Sequence, residues 1–349
     1  MAFYYPTNEP PSFGRQIELV PIALRALQLS HVGQGHRLVI YSDTQRTKSQ
    51  VDAFFTAAQI VEAETVVVLT VPRNDPDRTP LPQAFEAMQR AETVIDLSTI
   101  SWIYTTEFSQ VLGKGVRILS SMANPDTWVK MPPDQRISVV SKRSSEIIDA
   151  ATTLRFTTPA GTSLEFDKGR RMGTWQDGLL DEPGDWDNFP SAQAACAPLE
   201  DRTNGRLVIE PGDILVSLKH IVGSRITCDI RNGCIEQVEG GADAALMRQF
   251  LAKTGDPNAY RVSHIGWGLE PRAEVAAMQM MEWESYGGGI MIAFGANDGR
   301  FLGGTTHCRS HIDIVVLNAT FECDGTTVVE GGRMMLPELQ LPTFGPATA

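Results

Sequence analysis

The segment RLVIYSD, residues 37–43, is the first of several short apolar, β-branched runs that decide the fold of the N-terminal part of the chain. Similar runs follow as TVVVLTV (65–71), TVIDLS (93–98) and VRILSS (116–121). Helix-like stretches separate them, at 46–60, 82–91 and 106–113. Near-continuous apolar strands that alternate with helices are typical of a parallel sheet covered on both faces. The sequence therefore predicts an α/β domain with a doubly wound parallel sheet over residues 1–150.

A dinucleotide site is the first function to test for such a domain. It requires G-x-G-x-x-G directly after the first strand, where the glycines let a helix N-terminus approach a pyrophosphate. Here SDTQRT (42–47) follows the strand, and the glycines of VGQGHR (32–37) precede it. The pattern does not favour nucleotide binding.

Charge and composition exclude other partners. The net charge of −12 and the isoelectric point near 5.0 would repel a phosphate backbone, so we expect no nucleic acid partner. The N-terminus lacks a secretory pattern, and no apolar run reaches the roughly 18 to 20 residues that span a bilayer. The five cysteines include no C-x-x-C pair. These features predict a cytoplasmic protein with no membrane partner, no disulfide framework and no thiolate zinc site.

The sequence changes character after residue 150, where short strands alternate with turn residues. The segments 154–167 and 226–241 are predicted hairpins, the second with Asn232-Gly233 as a type I′ turn. Helices are predicted at 134–150, at 242–253 and, beginning with Pro271, at 271–285. We therefore expect residues 151–349 to form a β-rich α+β domain that carries the chemistry.

A metal-ligand pattern occurs near the C-terminus, in HIDIVVL (311–317). Residues i and i+2 of a strand point to the same face, so His311 and Asp313 would project side by side. A structural hydrogen bond between the two is the simpler interpretation. Together with His264, which ends another predicted strand, they would form the two-histidine, one-carboxylate set of non-haem Fe(II) enzymes. His307 is a competing ligand, but its Gly/Thr-rich connection favours a loop histidine.

Three segments carry a family resemblance: SHIGWGLEPRA (263–273), DEPGDWDNFPS (181–191) and HIDI (311–314). They resemble the iron-dependent 2,5-dihydroxypyridine dioxygenases, which in turn are similar to the aminopeptidase T family of metallopeptidases. The resemblance implies an extradiol-type ring-cleaving dioxygenase with one Fe(II) per chain, bound by His264, His311 and Asp313. It also implies O2 and a small aromatic or N-heterocyclic substrate as partners, and a homo-oligomer.

The chain departs from this family in its predicted pocket. Members of the family carry histidines at the positions where this chain has Tyr104 and Asn188. An asparagine side chain cannot titrate, and a tyrosine has an ordinary pKa of about 10, so neither exchanges a proton near neutral pH as a histidine does. Tyr104 could still donate a hydrogen bond or act as an acid. Glu182, on a Pro-Gly turn, is either a solvated turn residue or a substrate-facing carboxylate. We take Tyr104, Glu182 and Asn188 as the candidate catalytic residues.

Two alternatives remain open. The similarity to metallopeptidases suggests a metal-dependent hydrolase of amide or peptide bonds, in which the metal activates water. The peptidases, however, provide a Glu where this chain has Gln193, a second Glu at His264 and a His at Met291. A paired-metal site needs those bridging carboxylates. A metal-free descendant that binds a ligand is the third possibility.

Overall fold

The computed structural model describes residues 13–73, 78–103, 105–298 and 302–341. Up to residue 150 its elements are α1 (Phe13–Leu29), β1 (Arg37–Asp43), α2 (Lys48–Ile60), β2 (Glu64–Thr70), α3 (Pro82–Met88), β3 (Thr93–Leu97), α4 (Thr106–Gly113), β4 (Arg117–Ser120), α5 (Pro125–Lys130) and α6 (Gln135–Ala150).

The strands that follow are β5 (Thr153–Thr157), β6 (Ser163–Asp167), β7 (Thr174–Gln176), β8 (Trp186–Asn188), β9 (Gln193–Cys196), β10 (Thr203–Ile209), β11 (Ile214–Leu215), β12 (His220–Ile221), β13 (Ile226–Arg231) and β14 (Cys234–Gly240). The last part contains α7 (Ala242–Ala252), β15 (Val262–Gly268), α8 (Met280–Ser285), β16 (Ile290–Gly295), β17 (His311–Val316), β18 (Thr320–Cys323), β19 (Thr326–Glu330) and β20 (Arg333–Met334). Single 3-10 turns occur at Val216–Leu218, Pro257–Tyr260, Val275–Ala277 and Pro337–Leu339.

The chain forms two compact units that do not divide at a single point. The first comprises residues 1–135 and 177–191, and the second comprises 136–176 and 192–349. Helix α6 thus lies in the second unit, although the sequence placed 134–150 at the end of the first domain. The segment 177–191 belongs to the first unit because its strand β8 pairs with β4 in the sheet of that unit.

The first unit is built on a five-stranded sheet in the order β2-β1-β3-β4-β8. Its pairs are all parallel, and β1 to β4 lie within a residue or two of the predicted runs. Val39 and Tyr41 of β1 pack with residues of α3 and α4. Leu38 and Ile40, on the opposite face of the same strand, are also buried. Burial on both faces explains why the strand is a continuous apolar run.

The second unit contains two sheets. One has eight strands in the order β14-β13-β10-β6-β5-β18-β19-β20, and the other has seven in the order β12-β11-β17-β16-β15-β9-β7. Apolar side chains of both sheets meet in one core, which includes Phe156 and Phe166 from the first and Ile292 and Ile314 from the second. The mixed architecture, a parallel sheet with additional antiparallel sheets, agrees with the predicted fold class.

Both predicted hairpins are present. Strands β5 and β6 pair antiparallel, and so do β13 and β14. Asn232 and Gly233 have φ angles of 49° and 70°, as a type I′ turn requires at its two central residues.

The predicted long helix at 271–285 is wrong: only α8, at 280–285, is α-helical, with a 3-10 turn before it. Carboxylate side chains of this segment form hydrogen bonds with backbone N–H groups that a helix would otherwise use. The carboxylate of Glu270 accepts the backbone N–H of Arg272, and that of Glu282 accepts the N–H of Glu274. Met278 also has a φ of 54°, which ends helical geometry. Such side-chain bonds offer the backbone an alternative to the helix.

Helices in the described ranges all lack the length and apolar character needed to cross a membrane.

Candidate metal centre

The three side chains predicted as metal ligands lie together in the second unit. Nε2 of His264 is 3.1 Å from Oδ1 of Asp313, and Nε2 of His311 is 3.3 Å from the same oxygen. The two Nε2 atoms are 3.3 Å apart. His264 comes from β15, whereas His311 and Asp313 come from β17. The seven-stranded sheet therefore brings together two segments that are distant in sequence, since 47 positions separate His264 from His311.

A β-bulge in β15 determines the direction of His264. Val262 pairs with Phe294 and Ile265 pairs with Ile292, so two residues of β15 stand opposite the single residue Ala293. The extra residue breaks the simple alternation, and bulges of this kind commonly redirect a side chain beside a functional site. Ile265 remains in the apolar core while His264 faces the other side of the sheet.

Strand β16 lies between the two strands that carry the cluster, and its side chains there are small. Ala293 pairs with Asp313, and Gly295 pairs with His311. A larger side chain at position 293 would project on the same face, between His264 of β15 and the ligands of β17. The methyl group of Ala293 leaves this space to the three polar side chains.

The tautomer of His311 is determined by its backbone neighbour. Nδ1 of His311 lies 3.0 Å from the carbonyl oxygen of Ala296. A carbonyl can only accept, so Nδ1 carries a proton, and in the neutral imidazole the lone pair of Nε2 faces His264 and Asp313. A ligating histidine commonly donates its other N–H in this way, which orients the ring.

Burial and mutual attraction shape the charges of the cluster. Burial lowers the pKa of His264, although the hydrogen bond with Asp313 opposes it. Burial also acts to lower the pKa of His311, but the charge of Asp313 outweighs it, so that pKa is raised. The two imidazoles hold the pKa of Asp313 well below its usual range despite burial. The carboxylate is thus ionised, and a buried anion beside two imidazoles suits a cation.

The donor set fits one metal ion. Adjacent ligand atoms that bind one ion at about 2.0–2.2 Å stand roughly 3 Å apart, as the three atoms here do. Within the described residues this ligand group consists of His264, His311 and Asp313 alone. A set of three leaves coordination positions open for other molecules. The fit is less complete for His264, because its buried Nδ1 has no hydrogen-bond partner in the described part of the chain.

Two of the candidate catalytic residues, Glu182 and Asn188, belong to the first unit, and Tyr104 lies outside the described residues. Glu182 is exposed, in the turn before β8, and its backbone N–H donates to Asp185. Asn188 ends β8 and is 5% exposed, and its Oδ1 has no partner among the described residues. Their predicted roles stay predictions.

The competing ligand His307 lies in a loop and is mostly exposed. Its Nδ1 is 2.7 Å from Oδ2 of Asp298, and its carbonyl oxygen accepts a hydrogen bond from Asn258. It is not a member of the ligand group at His264.

Sequence reasoning missed Glu284, which lies in α8, a helix that contacts β17. Burial, and then the negative charge of Asp313, raise the pKa of Glu284 well above its usual value. Glutamates are common on helices, so nothing in the local pattern could have singled it out.

The positions that distinguish a paired-metal hydrolase carry unsuitable side chains. Gln193 is neutral, and its Nε2 donates to Oε1 of Gln176. Met291 is buried in an apolar cluster with Trp283 and Val315. Neither provides a ligand for a second cation, so the hydrolase alternative lacks the bridging groups that it requires.

Comparisons with known proteins identify a family and two similar structures. Residues 18–336 match the family model described as NicX: 2,5-dihydroxypyridine 5,6-dioxygenase. The 2,5-dihydroxypyridine 5,6-dioxygenase of Pseudomonas putida KT2440 is 28% identical over 343 residues, which cover 92% of this chain and 97% of that protein.

Two solved structures are similar. The 2,5-dihydroxypyridine dioxygenase from Pseudomonas putida KT2440 superimposes with a TM-score of 0.85 at 27% identity, covering 93% of this chain and 99% of that one. Wild-type AmpT from Thermus thermophilus gives a TM-score of 0.65 at 14% identity, covering 93% and 100%. At that identity the second similarity shows a shared fold alone.

Proposed function

The chain belongs to the 2,5-dihydroxypyridine 5,6-dioxygenase family, and we propose that it is a mononuclear non-haem Fe(II) enzyme that opens a hydroxylated pyridine or related aromatic ring. The family predicted from the three sequence segments is confirmed by the family model. The observation that carries the iron proposal is the convergence of two Nε2 atoms and one carboxylate oxygen within 3.3 Å of one another.

In this proposal His264, His311 and Asp313 hold one Fe(II) per chain. Bound ferrous iron supplies the one-electron chemistry that a spin-paired organic ring needs to react with O2. The residues of the chain provide the geometry. The carbonyl of Ala296 orients His311, and Oγ of Ser217 accepts the backbone N–H of Asp313, which ties β17 to the turn at Val216–Leu218.

The overall reaction balances without a further reductant. In a 5,6-cleavage the bond between ring carbons 5 and 6 breaks, and each carbon gains one oxygen atom of O2. The ring supplies the four electrons that O2 accepts. The chain must therefore bind the ring and O2 together, and we propose that the open positions beside the three ligands serve this purpose.

We retain Tyr104, Glu182 and Asn188 as the proposed residues that face the substrate. The buried, unpartnered Oδ1 of Asn188 supports its role, because such a group is unfavourable unless a ligand satisfies it. The phenol of Tyr104 is proposed to donate a hydrogen bond where family members carry a histidine. Cytoplasmic location and a homo-oligomeric state also stay predictions.

The test is anaerobic purification, metal analysis and an oxygen-electrode assay with 2,5-dihydroxypyridine. We expect close to one iron per chain and one O2 consumed per ring opened. Anaerobic hydrolysis of amide substrates with Zn²⁺ or Mn²⁺, without O2 uptake on any dihydroxypyridine, would overturn the proposal in favour of the hydrolase. A chain that binds no metal after exposure to ferrous ion would favour the metal-free alternative.

A further inference from the structure

Two glutamines on the sheet that carries the candidate metal centre have hydrogen-bonding groups without partners among the described residues. Gln176 of β7 and Gln193 of β9, here called the amide pair, are 3% and 6% exposed. Nε2 of Gln193 donates to Oε1 of Gln176, but Nε2 of Gln176 and Oε1 of Gln193 have no partner among the described residues. An unsatisfied buried polar group destabilises a protein by about 1–3 kcal/mol, so two in contact require an explanation.

The amide pair faces the same side of the seven-stranded sheet as the metal ligands. Gln193 pairs with Gly268 of β15, and Ala195 pairs with Gly266. Ile265 and Trp267 point into the apolar core, so His264, Gly266 and Gly268 share the opposite face. Gln176 pairs with Gln193 and lies on that face as well.

Small residues separate the amide pair from the ligands. Along β15, positions 264 and 268 are roughly 13 Å apart at the usual strand rise. Gly266 and Ala195 lie between them on this face, and neither carries a side chain larger than a methyl group. Met291 of β16 pairs with Gly266 from the other side. At Gly268 the backbone of Ser285 and Tyr286 covers the sheet, since a Cβ there would lie 2.4 Å from the Tyr286 carbonyl oxygen. On this face of the sheet the metal ligands thus lie at one end. The amide pair lies at the other end, where the backbone of Ser285 and Tyr286 covers the sheet.

The unsatisfied groups are one donor and one acceptor on adjacent amides. Exchanging oxygen and nitrogen in both side chains again leaves one of each, so this property does not depend on their orientation. A ligand edge with an N–H beside a C=O satisfies both. A carboxylate would satisfy only the donor and would leave its charge against an amide oxygen.

We propose that the amide pair binds the lactam edge of the substrate, the ring N–H and the adjacent C=O of a 2-pyridone. This inference rests on the proposed function and names its substrate class: a neutral, uncarboxylated hydroxy-lactam ring. In the 2-oxo tautomer of 2,5-dihydroxypyridine, the lactam edge and the 5-hydroxyl group lie on opposite sides of the ring. A ring held by Gln176 and Gln193 therefore directs its 5-hydroxyl group away from the amide pair, along the face that carries His264.

The test is anaerobic binding of three ligands to the Fe(II)-loaded protein by calorimetry: 2,5-dihydroxypyridine, its N-methyl lactam, and hydroquinone. We expect the wild-type protein to bind the parent lactam at least about tenfold more tightly than the other two, because a site built to hydrogen-bond rejects ligands that lack the group. Gln176→Met and Gln193→Met should each weaken lactam binding by about tenfold or more and remove the difference from hydroquinone.

Controls separate this inference from simpler causes. Gln237→Met, at an exposed position in β14, should leave all three dissociation constants unchanged. If the N-methyl lactam binds weakly for steric reasons, its affinity should stay below that of the parent lactam in the Gln176 and Gln193 variants. If it binds weakly because a hydrogen bond is lost, the two lactams should bind these variants equally. Iron content should match the wild type throughout.

Equal binding of the parent and hydroquinone by the wild-type protein would overturn the inference, and this measurement needs no variant. Wild-type affinity for the lactam in both glutamine variants would overturn it too, by making the amide pair purely structural. Failure of the proposed function is a separate result: lactam selectivity would persist, but the oxygen electrode would record no O2 uptake.

Discussion

Nδ1 of His311 lies 3.0 Å from the carbonyl oxygen of Ala296, and this contact determines which ring nitrogen faces Asp313. Ala296 follows β16 directly, so the neighbouring strand of the sheet both positions and orients the imidazole. In the neutral imidazole with Nδ1 protonated, Nε2 presents a lone pair towards the carboxylate and His264.

Replacement of His311 by Ala should abolish metal binding. Two ligands remain, so we expect iron to fall from about one per chain to below about 0.1, and O2 uptake to fall by at least about 100-fold. Circular dichroism should show a folded protein, since His311 lies outside the apolar core. His307→Ala is the matched control and should keep full iron content, because His307 is exposed and bonds Asp298. Equal metal loss in both variants would contradict the ligand assignment.

Metal binding should stabilise the wild-type protein against heat. A ligand at 100 times its dissociation constant adds about 2.7 kcal/mol to the folded state if it does not bind the unfolded chain. We therefore expect Tm to rise on anaerobic addition of Fe²⁺ and to return on chelation. His264→Gln should reduce the rise to a fraction of the wild-type value. A rise of the same size in that variant would show that the stabilising ion binds elsewhere.

Gly266→Ala should destabilise the second unit strongly. A Cβ at position 266 would lie 2.0 Å from the Ala194 carbonyl oxygen and 2.6 Å from Cα of Ala195, both backbone atoms of β9. The strands would have to separate, and we expect a loss of about 2–4 kcal/mol in the free energy of unfolding. Gly113→Ala, at the end of α4 with nothing within 4 Å of its Cβ position, should change stability by less than about 1 kcal/mol. Chemical denaturation of both variants measures the difference, and similar values would contradict the close approach.

Glu200 should contribute stability that disappears in acid. Burial alone would raise its pKa, but the hydrogen bonds from Arg171 and from the backbone N–H of Thr305 outweigh burial and lower it from 4.5 to about 2. A depressed pKa stabilises the folded state above the unfolded pKa, and this contribution is lost as the pH falls towards about 2.

Comparison of the wild type with Glu200→Gln measures that contribution. At pH 7 we expect the variant to be about 1 kcal/mol less stable, a modest value because the side chain keeps some solvent contact. The difference should shrink between pH 4.5 and pH 2. Glu236→Gln, at an exposed position in β14, is the control. A difference that does not change across this range would exclude the ionised carboxylate as its cause.

Much of the first unit could be predicted because its signals are local. Strand β1 reads as a continuous apolar run since both of its faces are buried. Strand β8 could not be predicted, because Trp186–Asn188 is short and polar and joins the sheet only by pairing with β4. The single boundary at residue 150 differs from the observed units for the same reason, as 177–191 returns to the first unit through that pairing.

The candidate site also combines features that the local sequence predicts with features that it does not. The i, i+2 spacing predicted that His311 and Asp313 share a face. The predicted strand that ends at His264 added the third ligand, and the family resemblance implied the same set. The bulge at His264, the carbonyl of Ala296 and the proximity of Glu284 had no local signal. Each depends on a residue that is distant in sequence. The amide pair was also unforeseen, because Gln176 and Gln193 meet only through the pairing of β7 with β9.

The amino-acid sequence alone determined the α/β and β-rich character of the chain, which follows from periodicity, and the three candidate ligands, which follow from spacing and residue chemistry. It also carried the resemblance of three segments that indicated the family. Only the tertiary structure decided the pairing across β15, β16 and β17 that brings those ligands within 3.3 Å. It also decided which ring nitrogen of His311 faces the other two ligands, and which buried amide atoms lack partners among the described residues. Such features arise from strand register, and register depends on the packing of the whole sheet rather than on any segment of it.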